Sequence, residues 1–418
     1  MGMSWHTRVV LVALCIALPG CTLSRPDYLA PDIAVGESAF VRAVEAHTLS
    51  GLIEGNRAEV LVNGDQIFPA MLDAIGEAHR TIDLLTFVYW RGEIGTRFAD
   101  ALSDKAGSGV RVRVLLDAWG ASSIEPGLVS EMEDAGVRVH WYRPLHRLQP
   151  TKVNHRTHRK VMIVDEETGF TGGVGIADQW KGDARNEDEW RDTHFRVRGP
   201  AVDGLRAAFL DNWLETDPEV FDASIDRFPD QPQPGGAVIQ CVRGASEVGW
   251  SDISTLLLAL LQLAKDRIRI TTAYFVPDDE LIEQLSAASD RGVKVEILLP
   301  GPHGDKRFVQ LAGQAIYERL LEHGVRIWHY QPTMLHAKIM TVDGLVASVG
   351  SANFNARSTE LDEEINLVAL DPDLIRQLDR QFDADLERSE EIQPGRWEDR
   401  SVGRRVLEGI TRPLRHKM

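Results

Sequence analysis

The sequence has few cysteines and no segment of about 20 apolar residues of the kind that crosses a bilayer as a helix. It contains three Cys in 418 residues, namely Cys15, Cys21 and Cys241. Since two of them lie near the N-terminus, only Cys241 remains for the body of the chain, which excludes an internal disulfide framework there. A metal site built on several thiolates is excluded for the same reason.

Positive charge is also scarce. The chain has 46 Lys and Arg against 63 Asp and Glu, which gives a net charge of −17. Sequence-independent binding to nucleic acid depends on many basic side chains that release counterions from phosphates. The acidity therefore argues against nucleic acid as a partner, although it leaves room for a local basic pocket. The length and the 43% hydrophobic content are those of a folded protein with two or three domains.

A short apolar run lies near the N-terminus. It extends over ten residues from Val9 to Leu18, follows His6 and Arg8, and ends shortly before Cys21. This length is too short to span a bilayer and is typical of the apolar region of an export signal. The segment resembles a bacterial lipoprotein signal, in which cleavage leaves the Cys as a lipidated first residue held at the membrane. An ordinary cleaved signal peptide or a short uncleaved anchor is the alternative.

The chain contains an internal repeat. Each copy begins with an apolar strand, a helical stretch and a second strand. A helix ending in Gly, a further strand and a motif with His and Lys follow. Matching order over roughly 100 residues indicates a duplication. The corresponding segments are AHRTIDLLTFVYW (78–90), GVRVRVLLD (109–117) and HRKVMIVD (158–165), and AKDRIRITTAYFV (264–276), GVKVEILLP (292–300) and HAKIMTVD (336–343).

The repeat predicts the fold class and the division into domains. Runs of β-branched and apolar residues alternate with amphipathic helical stretches, which predicts α/β layers with a central sheet covered by helices on both faces. We expect the two copies to pack around a pseudo-twofold axis, so that both motifs meet at one interface. The predicted divisions are a signal (1–21), an N-terminal extension (22–50), a first domain (51–226), a Pro/Gly linker (227–237), a second domain (238–390) and a basic tail (391–418).

The repeated motif has the form His-x-Lys-x-x-x-x-Asp. A neutral imidazole can attack phosphorus and form a phosphohistidine, and a second imidazole can protonate the leaving oxygen and later deprotonate the acceptor. Lysine ammonium groups aimed at the non-bridging oxygens stabilise the charge that grows in the transition state, so no metal or cofactor is required. A single His-x-Lys is more often structural, whereas two copies at equal offsets in a duplicated frame indicate catalysis. The candidate residues are His158, Lys160 and Asp165, and His336, Lys338 and Asp343.

The paired motifs resemble those of the phospholipase D superfamily, and the segments around them resemble cardiolipin synthases in particular. The similarity extends over about residues 51 to 390 and includes LDAWGA, WRDTHFRVRGPAV, YFVPDDELIEQL, LLPGPHGDK, GSANFNARS and LDEEINLV. The resemblance implies two tandem phospholipase D-like α-β-α sandwich domains related by pseudo-twofold symmetry. It also implies phospholipid substrates, with phosphatidylglycerol the first candidate.

The resemblance also assigns roles to individual residues. One of His158 and His336 is the nucleophile and the other the general acid and base, and we favour His158 as the nucleophile. Lys160 and Lys338 hold the phosphate, and Asp165 and Asp343 shape the site. Ser351 and Asn353 match positions that hydrogen-bond the phosphate or the Lys, and Glu364 and Asp192 match positions where a carboxylate orients a catalytic His.

Two other features bear on substrate binding. The first copy has Gly173 and Gly175 where Ser or Gly and Asn are commoner, which predicts that this half lacks a phosphate donor. His303 and Asp305 lie in a loop at a strand end of the second copy, where substrate contacts are expected. The basic tail is either a solvated surface helix or a segment attracted to anionic lipid.

Three reactions are compatible with these motifs, because the acceptor of the phosphoryl group decides the reaction: cardiolipin synthesis, hydrolysis by a phospholipase D, and cleavage of nucleic acid or another phosphodiester. A membrane-tethered scaffold without activity is an alternative of a different class. The export signal, the acidity and the similarity around the motifs favour lipid over nucleic acid, and the intact His and Lys pairs argue against a scaffold. The sequence therefore predicts a membrane-associated phosphatidyltransferase.

Overall fold

Two stretches of the chain build matching halves of one β-sheet. The computed structural model describes residues 33, 37–48, 50–144, 154–219, 229–244 and 252–395. Within these residues fifteen strands lie in a single sheet and two further strands form a small separate one. The predicted signal with Cys21, the first residues of the predicted linker and the basic tail from residue 396 lie outside the described residues.

The first half of the molecule contains seven of these strands. Helix α1 (Ser38–Thr48) precedes it. Its strands are β1 (Ile53–Val62), β2 (Thr81–Thr86), β3 (Arg111–Asp117), β4 (Arg138–Tyr142), β5 (Val161–Val164), β6 (Thr168–Gly172) and β7 (Thr193–Arg198). Its helices are α2 (Asn63–Glu77), α3 (Glu93–Gly107), α4 (Pro126–Asp134) and α5 (Val202–Trp213), with a 3-10 turn at Asp178–Trp180.

The second half repeats this order. Its strands are β8 (Ala237–Arg243), β9 (Arg267–Thr271), β10 (Phe275–Val276), β11 (Lys294–Pro300), β12 (Arg326–Tyr330), β13 (Ile339–Val342), β14 (Val346–Gly350), β15 (Phe354–Asn355), β16 (Ile365–Leu370) and β17 (Ser389–Glu391). Its helices are α6 (Asp252–Leu263), α7 (Asp279–Asp290), α8 (Arg307–Gln314), α9 (Tyr317–Glu322), α10 (Ala356–Glu360) and α11 (Pro372–Leu386).

The sheet is nearly symmetric about the junction of β1 and β8. Outwards from this junction the first half runs β1-β7-β6-β5-β2-β3-β4 and the second half runs β8-β16-β14-β13-β9-β11-β12-β17. Strands β2, β3 and β4 are parallel, as are β9, β11 and β12. Because β5 and β13 run antiparallel to β2 and β9, they begin at the edge where the parallel strands end. Ligands commonly bind at that edge in α/β sheets.

Helices cover both faces of the sheet, which confirms the predicted α/β architecture. On one face α2, α3 and α4 pack on the first half, and α6, α7 and α9 pack on the second half. On the other face α5 and α11 share one hydrophobic core with strands of both halves, so the two halves do not form separate cores there. Strands such as β2, β3 and β14 are buried along their whole length, since a sheet covered on both faces has no solvent side.

Helix α1 lies in the predicted N-terminal extension but packs on the second half. Its side chains Phe40 and Val44 are buried in the same core as Leu256 and Leu260 of α6. Helix α1 is therefore part of the folded body. Among the helices described here, none is sufficiently long and apolar to cross a membrane.

Candidate active site

The two His-x-Lys motifs lie directly before β5 and β13, at the edge where the parallel strands end. Each motif is anchored to the backbone of the opposite half. The amide of His158 donates to the carbonyl of Glu363 (2.9 Å), and the amide of His336 donates to the carbonyl of Arg191 (2.7 Å). These bonds join segments that are far apart in the chain, and they hold both motifs at the interface of the two halves.

Each imidazole contacts a carboxylate from the opposite half. Nδ1 of His158 lies 2.9 Å from Oε1 of Glu364, and Nδ1 of His336 lies 2.8 Å from Oδ2 of Asp192. An ionised carboxylate accepts the proton of Nδ1, so the lone pair of the neutral ring is left on Nε2. The structure therefore places each motif His against one of the two carboxylates that the resemblance suggested for orienting a catalytic His, and in both cases the carboxylate comes from the other half.

Both imidazoles are neutral at neutral pH. Burial, followed by the positive charge of Lys338, lowers the pKa of His336 to about 4. Burial also lowers the pKa of His158 well below its ordinary value, and the charges of Lys160 and Lys338 lower it further. Lys338 belongs to the other half of the molecule, so its effect on His158 shows that the two motifs share one electrostatic site. A neutral imidazole is the form that can act as a nucleophile.

The two lysines are buried in the same site. Burial lowers the pKa of Lys160 to about 7 and that of Lys338 to about 8, although nearby Glu364 and Asp192 favour their charged forms. The ammonium of Lys160 donates to the carbonyl of His158 (2.6 Å), and the ammonium of Lys338 lies 3.0 Å from Nδ1 of His336. A phosphodiester anion bound between them would raise both pKa values, since an opposite charge stabilises the ammonium form.

The two carboxylates differ in their ionisation. Burial raises the pKa of Glu364 to about 7, even though Lys160 lowers it. Burial acts the same way on Asp192, but the hydrogen bond with His336 and the charge of Lys338 outweigh it and hold the pKa of Asp192 at about 2. The two halves are chemically similar, but Glu364 has a pKa near neutral pH, whereas Asp192 is ionised at neutral pH.

Different donors support the two carboxylates. The hydroxyls of Ser351 and Ser358 donate to Glu364 at 2.5 and 2.6 Å. Asp192 instead accepts from the indole of Trp180 (2.8 Å) and from the amide of Thr193 (2.7 Å). Trp180 and Ser358 stand at the same offset from their motif His. In the sequence, only this equal offset indicated that both residues donate a hydrogen bond to a carboxylate of the site.

The position of Gly173 changes the interpretation of the first motif. The sequence predicted that glycine at this position removes a hydrogen-bond donor to the phosphate. Its counterpart Ser351, however, donates to the carboxylate of Glu364, so the glycine does not remove a contact of that kind. A Cβ atom on Gly173 would lie 2.2 Å from Oδ1 of Asp192, which leaves room for glycine alone. A Cβ on Gly175 would similarly lie 2.6 Å from Cβ of Val88. The glycines of the first half are therefore explained by the close approach of these side chains.

Of the remaining candidate residues, Asn353 lies near this centre, whereas the motif aspartates lie away from it. The side chain of Asn353 is buried at the end of β9, where its Oδ1 lies 3.5 Å from the hydroxyl of Thr272. The motif aspartates lie at the far ends of β5 and β13. Each accepts hydrogen bonds from three successive backbone amides at the start of a neighbouring strand, of residues 79–81 for Asp165 and residues 265–267 for Asp343. These contacts tie strands together and do not involve the imidazoles.

The sequence of the chain matches a known family. Residues 71–187 and 257–386 match the family described as cardiolipin synthase, PLD-like domain. Cardiolipin synthase 2 of Bacillus anthracis is 36% identical over 361 residues, which cover 85% of this chain and 69% of that protein. The cardiolipin synthase of Oceanobacillus iheyensis is 33% identical over 359 residues, which cover 86% of this chain and 74% of that protein. The solved structure of phosphatidylserine synthase from Haemophilus influenzae Rd KW20 has the same fold, with a TM-score of 0.68 and 15% identity over 90% of this chain and 100% of that one.

Proposed function

The chain belongs to the cardiolipin synthase family with phospholipase D-like domains, and on that premise we propose that it is a phosphatidyltransferase that makes cardiolipin from phosphatidylglycerol. The observation that carries the proposal is the pairing of each motif His with a carboxylate of the opposite half. These pairings hold both imidazoles and both lysines at the interface of the two halves. Transfer of a phosphatidyl group through a phosphohistidine needs a neutral imidazole as nucleophile and a second imidazole as acid and base.

In the first step, Nε2 of His158 attacks the phosphorus of the donor lipid. The bond from phosphorus to the headgroup oxygen breaks, and His336 gives a proton to that oxygen. His336 is neutral in the free site and gains this proton when the anionic phosphodiester binds, because the opposite charge stabilises the imidazolium. Lys160 and Lys338 balance the negative charge on the non-bridging oxygens. We assign the nucleophile to His158 because its side chain is more accessible, with 12% of its surface exposed against 6% for His336.

In the second step, a hydroxyl of a second phosphatidylglycerol attacks the phosphohistidine. His336 takes the proton of this hydroxyl, and the bond between phosphorus and Nε2 of His158 breaks. The product is cardiolipin, and both imidazoles return to their starting state. Water in place of the alcohol would give phosphatidic acid, so the site must favour the lipid acceptor over water.

We further propose that the protein acts at a membrane surface after export, held there by a lipid on Cys21. The lipoprotein-like segment before that residue supports this location, as does a reaction in which both substrates are lipids. Growth of an exporting bacterium with radiolabelled palmitate tests the proposal, since the unaltered protein should take up the label and a Cys21→Ala variant should not. An unaltered protein that takes up no label would contradict the lipid anchor.

The proposed activity is tested by incubating the purified protein with phosphatidylglycerol vesicles and resolving the lipid products. We expect cardiolipin and free glycerol in equal amounts. Phosphatidic acid without cardiolipin would show a hydrolase, and cleavage of an oligonucleotide with no change in the lipids would show a nuclease. Either result would overturn the proposed transfer.

The pKa values of the site predict a bell-shaped dependence of kcat/KM on pH. Burial raises the pKa of Glu364 to about 7, and a protonated Glu364 would donate to Nδ1 of His158 and move the ring proton to Nε2. Activity should therefore fall as the pH drops below about 7. Burial lowers the pKa of Lys160 to about 7 and that of Lys338 to about 8, so activity should also fall as the pH rises and the lysines lose their charge.

The profile of kcat should differ on its alkaline side. A bound phosphodiester keeps the lysines protonated, so the alkaline fall in kcat should lie at higher pH than the fall in kcat/KM. Initial rates between pH 5 and 10, with circular dichroism as a control for folding, measure both profiles. Values of kcat/KM that stay constant over this range would contradict the assigned roles of Glu364 and the lysines.

A further inference from the structure

Two aromatic side chains are exposed at the edge where the parallel strands end. In the described part of the chain, 62% of the surface of Trp119 and 48% of that of Phe308 are open to solvent. Trp119 lies two positions after the last residue of β3, and Phe308 lies in the first turn of α8, after β11. Strands β3 and β11 match each other in the two halves. Each half therefore exposes one aromatic side chain beyond the same parallel strand.

The loop that carries Trp119 lies beside His158. A Cβ atom on Gly120 would be 2.7 Å from Cδ2 of Phe87, and the ring of Phe87 lies 5.1 Å from the ring of His158. The carboxylate of Asp117 accepts hydrogen bonds from the amides of Trp119 and Gly120 at 2.9 and 3.0 Å. These two bonds fix the turn, so the indole is held in its exposed position next to the active site.

Phe308 lies on the His336 side of the site. It stands two positions after Lys306, whose ammonium lies 4.8 Å from the centre of the Tyr274 ring. The ring of Tyr274 in turn lies 6.1 Å from the ring of His336. One exposed aromatic side chain therefore stands on the side of each imidazole. A single exposed apolar side chain is common on protein surfaces, but two that flank an active site indicate an interaction surface.

Positive charge accompanies the second of these aromatic side chains. Lys306 and Arg307 directly precede it, and both are exposed. The adjacent carboxylate of Asp305 is engaged, since it accepts a hydrogen bond from the hydroxyl of Tyr274 (2.8 Å). The charge of Lys306 also contributes to the lowered pKa of His158, in the opposite half. In a chain with a net charge of −17, this edge thus presents positive charge to an anionic surface that approaches the two imidazoles.

We propose that this edge docks on an anionic phospholipid bilayer, with the rings of Trp119 and Phe308 inserted among the headgroups. This inference rests on the proposed function and names the surface that brings its lipid substrates to the site. Aromatic rings favour the boundary between headgroups and acyl chains, and Lys306 and Arg307 add attraction to anionic lipid. Docking at this edge brings the phosphodiester of a lipid to the imidazoles while its acyl chains stay in the bilayer.

The test compares each variant on lipid in vesicles and on lipid dissolved as monomers. The substrate is a phosphatidyl ester of p-nitrophenol, with long acyl chains in phosphatidylglycerol vesicles and with butanoyl chains in solution. In Trp119→Ala and in Phe308→Ala, we expect the ratio of kcat/KM on vesicles to kcat/KM on monomers to fall by about tenfold, which corresponds to about 1.4 kcal/mol. The ratio does not depend on how much of each preparation is active.

Leu345→Ala is the matched control for the aromatic variants. Leu345 is also a large exposed apolar side chain, with 43% of its surface open, but it lies in the turn after β13, at the end of that strand away from His336. Its replacement should leave the ratio within about twofold of the unaltered chain.

The contribution of charge is measured on vesicles of two compositions. Arg307→Gln should lower the preference for phosphatidylglycerol vesicles over phosphatidylcholine vesicles by about fivefold, which corresponds to about 1 kcal/mol for one basic residue near an anionic surface. Lys294→Gln is the control, because it removes an exposed lysine at the opposite end of β11. Equal falls in the two variants would contradict a local contact of Arg307 with lipid.

The outcomes separate this inference from the proposed function. An unchanged ratio in both aromatic variants would overturn the bilayer surface, and so would an equal fall in Leu345→Ala. Equal losses on vesicles and on monomers leave the ratio unchanged and count against the proposal too, because the rings would then act on the fold or on the chemistry. Release of p-nitrophenol needs no lipid acceptor. A chain that gives the expected ratios but forms no cardiolipin would therefore contradict the proposed function alone.

Discussion

Replacing His158 by alanine is expected to lower the rate of cardiolipin formation by about 10⁶-fold, the scale of loss known for removal of a catalytic nucleophile. His336→Ala is expected to cost about 10²–10⁴-fold, because it removes the general acid and base but leaves the nucleophile. Radiolabelled phosphatidylglycerol vesicles give the rates. Each imidazole is held by a carboxylate of the opposite half, so neither motif can replace the other.

His323→Ala is the matched control for these variants. His323 is an exposed histidine that also pairs with a carboxylate, Asp290, at 2.9 Å, but it lies at the end of α9 away from the site. Its replacement should leave the rate unchanged. A His158→Ala or His336→Ala variant that keeps more than a tenth of the activity would show that one motif suffices, which the shared site does not allow.

The second large effect concerns the lysines. Lys160→Met and Lys338→Met should each lower kcat by about 10²–10³-fold, the usual cost of about 3–4 kcal/mol for removing one donor to the charge of a transition state. Methionine has a similar length and no charge, so it fits the buried site. Steady-state rates at several surface fractions of phosphatidylglycerol separate kcat from KM.

Lys105→Met is the control for this comparison, because Lys105 is partly buried and bonds to a backbone carbonyl away from the site. If the motif lysines only held the lipid in its ground state, KM would rise and kcat would stay constant. That pattern would contradict their role in stabilising the transition state. A fall in kcat without a change in thermal unfolding would support it.

The fold class and the motifs followed from the sequence because both depend on local patterns. Alternating strand and helix segments, together with the internal repeat, predicted an α/β sheet covered on both faces. The equal offsets of His158 and His336 within the repeat identified the two motifs. Local patterns do not determine how β1 and β8 join the halves into one sheet, since that junction depends on packing between distant strands.

The sequence did not predict that each carboxylate contacts the His of the other half, because this also depends on packing between distant segments. Glu364 is 206 residues from His158, and Asp192 is 144 residues from His336. Each carboxylate lies closer in sequence to the motif of its own half, but folding places it against the other one. Only the resemblance to a family suggested that these residues orient a histidine, and it did not say which one.

The first-half glycines show how a motif comparison can mislead. A Gly in place of Ser351 suggests a lost donor when the motif is considered alone. In the structure, the carboxylate of Asp192 occupies the space that a side chain at position 173 would need. The indole of Trp180 supplies a hydrogen bond to this carboxylate. Two compensating substitutions at separate positions cannot be recognised until the side chains are placed together.

In the proposed mechanism, one imidazole becomes covalently bonded to the phosphatidyl group. This step is tested most directly by trapping that intermediate with a phosphatidyl ester of p-nitrophenol, a leaving group that needs no general acid. In His336→Ala we expect an acid-labile phosphatidyl group on the peptide that contains His158, and in His158→Ala we expect none. Turnover of this ester by the unaltered chain, with no label on either histidine in any variant, would contradict this mechanism.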